Sequence, residues 1–410
     1  MKKKIIKYLS IASLSFAALS MGACAFPGMT GSEKTETTEN AKNEKTQESK
    51  EKETEEAIVL PDKIAGLEFE KEIVPEEAKF FTIDCYKDGY YVIKTNNNTQ
   101  QLLVVPEGKT APEGLDPNVL VAQQPLDNLK IDPVSIISLM ERIDPGSVNR
   151  VKLVALQKEN IALDSVVSNM DNGTTQYSGS YNSPDIELVK NTSPKLYIAN
   201  PSLKNEKEYK KLVKEGITPF ISYVHQESSP LGRLEWIKIV GILLGNYEAA
   251  ETYYNNQKQI LSGVDPSTAG GKTYVIFCCD KADNKAYVRR AGDQISHTAD
   301  LAGGKNMMTD TDKNSWEEMT LDDFAGRFKD ADYLIYMNKR EDNINTIEDF
   351  KNIINSAPDF KAVTNGNMWK TSTDYIQSMD NIGEIVRDLN GIFSGDQATM
   401  DSTANFIHIQ

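Results

Sequence analysis

The hydrophobic pattern of residues 118–395 alternates short apolar runs with segments of helical period, and does so twice, on either side of one long helical stretch. Residues 119–122, 151–156, 196–199 and 218–224 read as strands bounded by turn-forming residues. Between them, Asp132-Pro133 opens a helix with proline at its first position, carrying Val134, Ile137, Leu139 and Met140. Ser183-Pro184 opens a second helix, and residues 205–215 form a third that Gly216 stops. Strands alternating with helices build βαβ units, and these give a parallel sheet with helices on both faces.

The alternation restarts further on. Residues 273–277, 333–337 and 367–370 read as strands; residues 293–301, closed by Gly303-Gly304, read as a helix. Further helices run from Thr320, as cap, to 328, over 347–354 and over 375–393. Between the halves, Ser229-Pro230 caps a helix containing Leu231, Leu234, Ile237, Ile239, Ile242 and Leu243. Gly245-Asn246 ends it and starts another over 247–262, with Tyr247, Ala250, Tyr253, Tyr254 and Ile260 at helical spacing. About 16 residues at 1.5 Å rise span roughly 24 Å, enough to bridge two lobes.

Ahead of the first half, residues 80–83, 90–93 and 101–105 are rich in β-formers and are separated by Lys87-Asp88-Gly89 and Asn96-Asn97-Asn98. They read as an N-terminal β-meander packed on the first lobe. The expected fold is therefore α/β, with two Rossmann-like lobes, a long bridging helix and this meander. The boundaries are 58–228 for the N-terminal lobe with its meander, 229–262 for the connecting helices and 263–410 for the C-terminal lobe.

The start of the chain is an address. Lys2, Lys3 and Lys4 precede an apolar stretch over 11–21, too short for a spanning helix, which reads as a signal peptide over 1–23. Its end, Leu19-Ser20-Met21-Gly22-Ala23-Cys24, resembles the bacterial lipoprotein signal, with Met21 in place of the usual aliphatic residue, and implies lipidation at Cys24. Residues 30–56 hold almost only Glu, Lys, Thr, Ser, Gln and Asn, so they bury too little apolar surface to offset their ordering entropy. Residues 24–57 are a disordered tether. Lipid, tether and folded body together place the chain outside the cytoplasm, anchored to a bacterial cell membrane.

Charge and motif content exclude several functions. The lysines of the leader offset the surplus glutamates of the tether, so the body carries the net charge of −15. A body that acidic disfavours phosphate backbones, and no nucleic-acid partner is expected. Cys278 and Cys279 lie in an apolar run and read as buried strand thiols; zinc-type cysteine spacing is absent. With three histidines, His225, His297 and His408, a multi-histidine metal site is not expected. Gly270-Gly271-Lys272-Thr273 imitates the end of a phosphate loop, but Pro266 stands where its first glycine belongs. No G-x-S-x-G or H-E-x-x-H occurs, so neither an enzyme nor a cofactor is expected.

Several motifs carry a resemblance. Pro184-Asp185-Ile186-Glu187-Leu188-Val189 with Ser193-Pro194-Lys195-Leu196-Tyr197-Ile198, then Gly216-Ile217-Thr218-Pro219-Phe220, are similar in order and spacing to the first lobe of ABC-transporter substrate-binding lipoproteins of the iron-complex, haem and cobalamin type. Lys195 stands where that family has Asp. Pro230-Leu231-Gly232-Arg233-Leu234-Glu235-Trp236-Ile237 resembles a subgroup of bacterial iron transporters. In the second half, Leu301-Ala302-Gly303-Gly304-Lys305-Asn306, Thr320-Leu321-Asp322 and Ala362-Val363 with Asn367-Met368-Trp369 follow the family's later motifs.

The resemblance implies a monomeric receptor that captures a metal chelate or tetrapyrrole and delivers it to an ABC permease and its ATPase. An iron complex, ferric siderophore or haem, comes first and a corrinoid second; an adhesive or structural surface lipoprotein is the alternative from another class. It maps permease docking to Glu187 and Asp322, one carboxylate per lobe. The cleft loops correspond to 177–181 and 289–297, making Tyr177, Tyr181, Arg289, Arg290 and His297 the candidate ligand residues. Tyrosines suit a flat ligand and an arginine an anionic chelate. On a strand Arg289 and Arg290 face opposite ways, so at most one enters the cleft.

Overall fold

β-Branched and aromatic residues dominate residues 81–105, and antiparallel hairpins form there. The computed structural model describes residues 60–310, 315–337, 344–354, 359–372, 377–378 and 380–410; the leader, Cys24 and nearly all of the expected tether lie outside the described residues. β1 (Phe69–Ile73), β2 (Phe81–Tyr86), β3 (Tyr91–Thr95) and β4 (Gln100–Val105) pair in chain order as an antiparallel meander. Asp88, Asn96, Asn97 and Asn98 make its corners at positive φ, which Asn and Asp tolerate better than other non-glycine residues. Alternation divides the sheet's two faces: Phe81, Ile83, Ile93, Leu102 and Val104 join the core of the first lobe, whereas Tyr86, Val92, Leu103 and Val105 form a second core with Leu60, Ile64 and Val119.

β5 (Leu120–Gln123) corrects the reading of residues 119–122. It is not a strand of the first lobe's own sheet but pairs parallel to β4 as the fifth strand of the N-terminal sheet. Only Ala122 of the strand is fully buried, and Val121 and Gln123 are exposed, a pattern that suits an edge and not a strand covered on both faces.

The first lobe's sheet holds β6 (Leu129–Ile131), β7 (Val151–Val154), β8 (Gln176–Tyr177), β11 (Leu196–Ala199) and β12 (Phe220–Ile221), with a small hairpin of β9 (Gly179–Ser180) and β10 (Ser183–Pro184) beside it. All pairs in the order β12-β11-β6-β7-β8 are parallel. Its helices are α1 (Val134–Ile143), α2 (Asp164–Asp171), α3 (Ile186–Thr192) and α4 (Lys207–Lys214). Two helix starts differ from expectation. Pro133 is the N-cap of α1 and not its first helical residue, and Ser183-Pro184 is strand β10. α3 begins after Asp185, whose carboxylate accepts from the Leu188 amide at 3.0 Å, a better cap than the serine upstream.

The connector is α5 (Pro230–Glu235), α6 (Ile237–Leu244) and α7 (Tyr247–Ser262). Ser229 caps α5, and Asn246 caps α7 after Gly245 at φ 75°. α6 and α7 approach so closely at Gly241 that an added Cβ would lie 2.5 Å from the Ala250 methyl. No helix among the described residues is long and apolar enough to cross a membrane.

The second lobe contains β13 (Thr273–Asp280), β14 (Lys285–Arg289), α8 (Gln294–Leu301), β15 (Lys305–Asn306), β16 (Trp316–Thr320), α9 (Leu321–Phe328) and β17 (Tyr333–Tyr336). It continues with α10 (Ile347–Lys351), α11 (Lys361–Thr364), β18 (Met368–Thr371), α12 (Ile382–Ser394), α13 (Gln397–Ser402) and β19 (Phe406–His408). β13, β15, β17 and β18 are mutually parallel neighbours, and β14, β16 and β19 add antiparallel edges. Cys278 and Cys279 are buried on β13. The last long helix starts at Ile382, later than expected, and Tyr375 lies outside the described residues. α7 packs on α6 and on α12, and Gln257 of α7 accepts from the Gly383 amide at 2.9 Å. The architecture is two Rossmann-like α/β lobes joined by a long bridging helix, with an N-terminal β-meander.

Candidate functional site

Parallel α/β sheets bind ligands outside the carboxyl ends of their strands. In the first lobe that edge carries Asp132 after β6, residues 155–163 after β7, residues 178–185 after β8 and His225 beyond β12. Tyr177 ends β8 with its ring exposed, and Tyr181 stands half-buried at the tip of the β9–β10 hairpin against the margin of the core. The two tyrosines therefore ride on one loop.

In the second lobe Arg289 lies at the carboxyl end of β17, where its Nε approaches the Met337 sulfur at 3.1 Å. It is buried, pairs with Asp293 at 3.2 Å and lies 5.0 Å from the Trp316 ring centre. Arg290 turns to other partners, an ion pair with Asp310 and Glu317 at 3.4 Å. An anionic ligand reaching either guanidinium competes with a carboxylate already there. His297, in α8, bonds through Nδ1 to the Ser228 carbonyl at 3.1 Å, so it ties the second lobe to the start of the connector.

Glu187 and Asp322 are both exposed, each in the first turn of its helix, α3 and α9. Acids there complement the helix dipole. Exposure leaves both carboxylates available to a partner.

Sequence reasoning missed a buried polar group under the first lobe's edge. Lys130 donates to Asp132 Oδ1 at 2.7 Å and to Ser178 Oγ at 2.8 Å, while the Tyr197 hydroxyl donates to Asp132 Oδ2 at 2.9 Å. Lys130, Asp132 and Ser178 have no exposed surface, and the ammonium lies 4.5 Å from the Tyr197 ring centre. Burial pushes the Asp132 carboxyl up, against the pull of Lys130 and Tyr197, and burial with Asp132 drives the Tyr197 hydroxyl well above its ordinary value. The available signal was a lone lysine inside the apolar run Leu129-Lys130-Ile131. Burial and the nearby Arg233 push the His225 imidazole down to about 3, so its ring is neutral 3.5 Å from Ser135 Oγ.

The lobes also meet directly. Gln377 accepts from the Ala162 amide at 2.9 Å and donates to the Asn160 carbonyl at 2.6 Å, and Arg142 of α1 donates through Nε to Asp380 at 2.8 Å. Among the described residues, no cluster of three or more His, Cys, Asp or Glu side chains is arranged to hold a metal ion.

A family model for periplasmic binding proteins matches residues 152–375. An uncharacterized lipoprotein of Methanocaldococcus jannaschii, MJ0878, is 25% identical over 295 residues, 69% of this chain and 69% of its own. Two solved structures share the fold. A periplasmic heme binding protein from Pseudomonas aeruginosa matches with a TM-score of 0.52 at 12% identity, over 66% of this chain and 93% of that one. The TroA-like periplasmic binding protein FepB from Veillonella parvula matches with a TM-score of 0.53 at 13% identity, over 70% and 96%.

Proposed function

The chain belongs to the periplasmic binding protein family, and from that premise we propose that it is the receptor of an ABC importer for an iron complex, haem or a ferric siderophore. The observation that carries this reading is the placement of Tyr177 and Tyr181 on one lobe and Arg289 on the other, at strand ends of two sheets joined by helix α7. Aromatic rings would flank a flat or aromatic ligand, and the guanidinium would exchange Asp293 for an anionic group of the chelate. A continuous helical bridge restricts closure to a small rocking motion. In this reading the protein is a binder and not a catalyst. Lipid on Cys24 holds it outside the membrane, residues 24–57 act as tether, and Glu187 and Asp322 dock one lobe each on the permease. Rim charges of this kind speed encounter and fix register more than they add affinity, which suits a receptor that must let go.

A thermal-shift and absorbance titration of the purified chain against haem, ferric siderophores and cobalamin tests the proposal. A ligand that binds only the native state raises the melting temperature. A saturable shift with an iron complex supports the reading, one with cobalamin alone moves it to a corrinoid, and no shift with any of the three counts against it.

A further inference from the structure

Ser178 stands between the candidate ligand tyrosines, and all of its polar atoms are engaged. Its amide donates to the Val154 carbonyl at 2.9 Å, its hydroxyl donates to the same carbonyl at 3.1 Å and accepts from Lys130, and its carbonyl accepts from the Asp185 amide at 2.7 Å. The next residue, Gly179, sits at φ 87°, and a Cβ there would lie 2.4 Å from the Ser183 carbonyl oxygen and 2.8 Å from the Asp185 nitrogen. The base of the β9–β10 hairpin is thus closed without room to breathe. Tyr181 is at its tip. At its far end Asp185 caps α3, whose first turn carries Glu187.

Burying an ammonium and a carboxylate inside an otherwise apolar sheet is a poor way to gain stability. Here the pair ends on one serine of the loop that bears the tyrosines. We propose that Ser178 and Lys130 are positioning residues that lock Tyr177, Tyr181 and Glu187 onto one frame, so that a ligand touching the hairpin tip alters the docking carboxylate. This rests on the receptor reading and adds to it a path from ligand contact to permease contact within eleven residues, 177–187.

The test splits two readouts, ligand Kd by titration with the probe that binds among haem, ferric siderophores and cobalamin, and uptake at saturating probe by cells carrying each variant. Tyr181→Ala is expected to raise Kd about tenfold and spare saturated uptake, and Glu187→Ala to do the reverse. Ser178→Ala is expected to do both while its melting temperature stays within a few degrees of wild type. A Ser178→Ala variant that changes neither readout, or only one, overturns the proposal. If Tyr181→Ala and Glu187→Ala are both silent, the receptor reading fails instead. Should Ser178→Ala not fold, amide exchange of the unmodified chain decides: the Asp185 amide must be protected like those of β6 and β11, and exchange at the rate of an open turn overturns the lock.

Discussion

Glu227 and Glu235, eight residues apart, divide between them five consecutive backbone N–H groups of one segment. Glu235 accepts from Glu76, Glu77 and Ala78, each at 2.9 Å; Glu227 accepts from Lys79 at 2.9 Å and Phe80 at 3.1 Å. Both carboxylates are buried, Glu235 paired with Lys238 at 2.8 Å and Glu227 with the Trp236 indole at 3.0 Å. The loop that joins β1 to β2 is thereby fastened to the connector.

Glu235→Ala strands a buried ammonium as well as three amides, and is expected to lower the unfolding free energy by about 3–5 kcal/mol. Glu227→Gln keeps one acceptor but turns an amide nitrogen on a backbone N–H, for a loss of about 1–3 kcal/mol. Chemical denaturation at neutral pH measures both. A loss below about 1 kcal/mol for Glu235→Ala would mean that the segment is not held this way in solution. The two titrate in opposite senses. Burial raises both, but Lys238 and the amides outweigh it at Glu235, which stays below the ordinary glutamate value, whereas Glu227 stays above it. Glu235 therefore stabilises the fold above pH 4.5 and less below it, and Glu227 opposes folding as it ionises above 4.5.

Glu187→Ala separates capture from delivery. Its side chain is exposed, so melting temperature and ligand affinity are expected to match wild type while uptake falls several-fold. Uptake at the wild-type rate would remove Glu187 from any docking role. Asp322→Ala, one atom shorter in reach at the start, is expected to have the smaller effect.

What was legible in the sequence was periodic and local. Helix α7 covers residues 247–262 as the spacing of Tyr247, Ala250, Tyr253, Tyr254 and Ile260 predicts, and Ser229 and Thr320 cap the helices they precede. What was not legible was decided by partners far along the chain. Residues 285–289 and 316–320, Lys-Ala-Tyr-Val-Arg and Trp-Glu-Glu-Met-Thr, become strands because they pair with each other, and the first of them also with β13. β5 carries β-forming residues in either reading, and only β4 decides which sheet it joins. At the site, Lys130 interrupts an apolar run: Asp132 is two residues away, but Ser178 reaches it from 48 residues along the chain, just past β8 and beyond the intervening β7.

Gln377→Ala tests the direct contact between lobes. The Ala162 amide loses the acceptor at 2.9 Å, so its hydrogen exchange is expected to accelerate at least about tenfold. Global stability should change by less than about 1.5 kcal/mol, since Arg142–Asp380 and Gln257–Gly383 still join the lobes. Unchanged exchange at Ala162 would show that the contact is not maintained in solution.

His225 makes stability depend on mildly acidic pH. Burial first, and the charge of Arg233 second, depress its folded-state value from 6.5 to about 3, whereas the unfolded chain takes up a proton near 6.5. Between these values the unfolded state binds more protons, so stability falls as pH falls through 6.5 and stops falling near 3. The expected loss is roughly 1–2 kcal/mol by pH 5. His225→Gln keeps a polar group facing Ser135 but cannot titrate, so its stability should hold where the wild type loses it. Denaturation midpoints at pH 7 and pH 5 for both proteins give the answer: converging curves at acid pH place the imidazole where it stays neutral, and parallel curves would show that His225 is protonated as readily in the folded protein as in the unfolded chain.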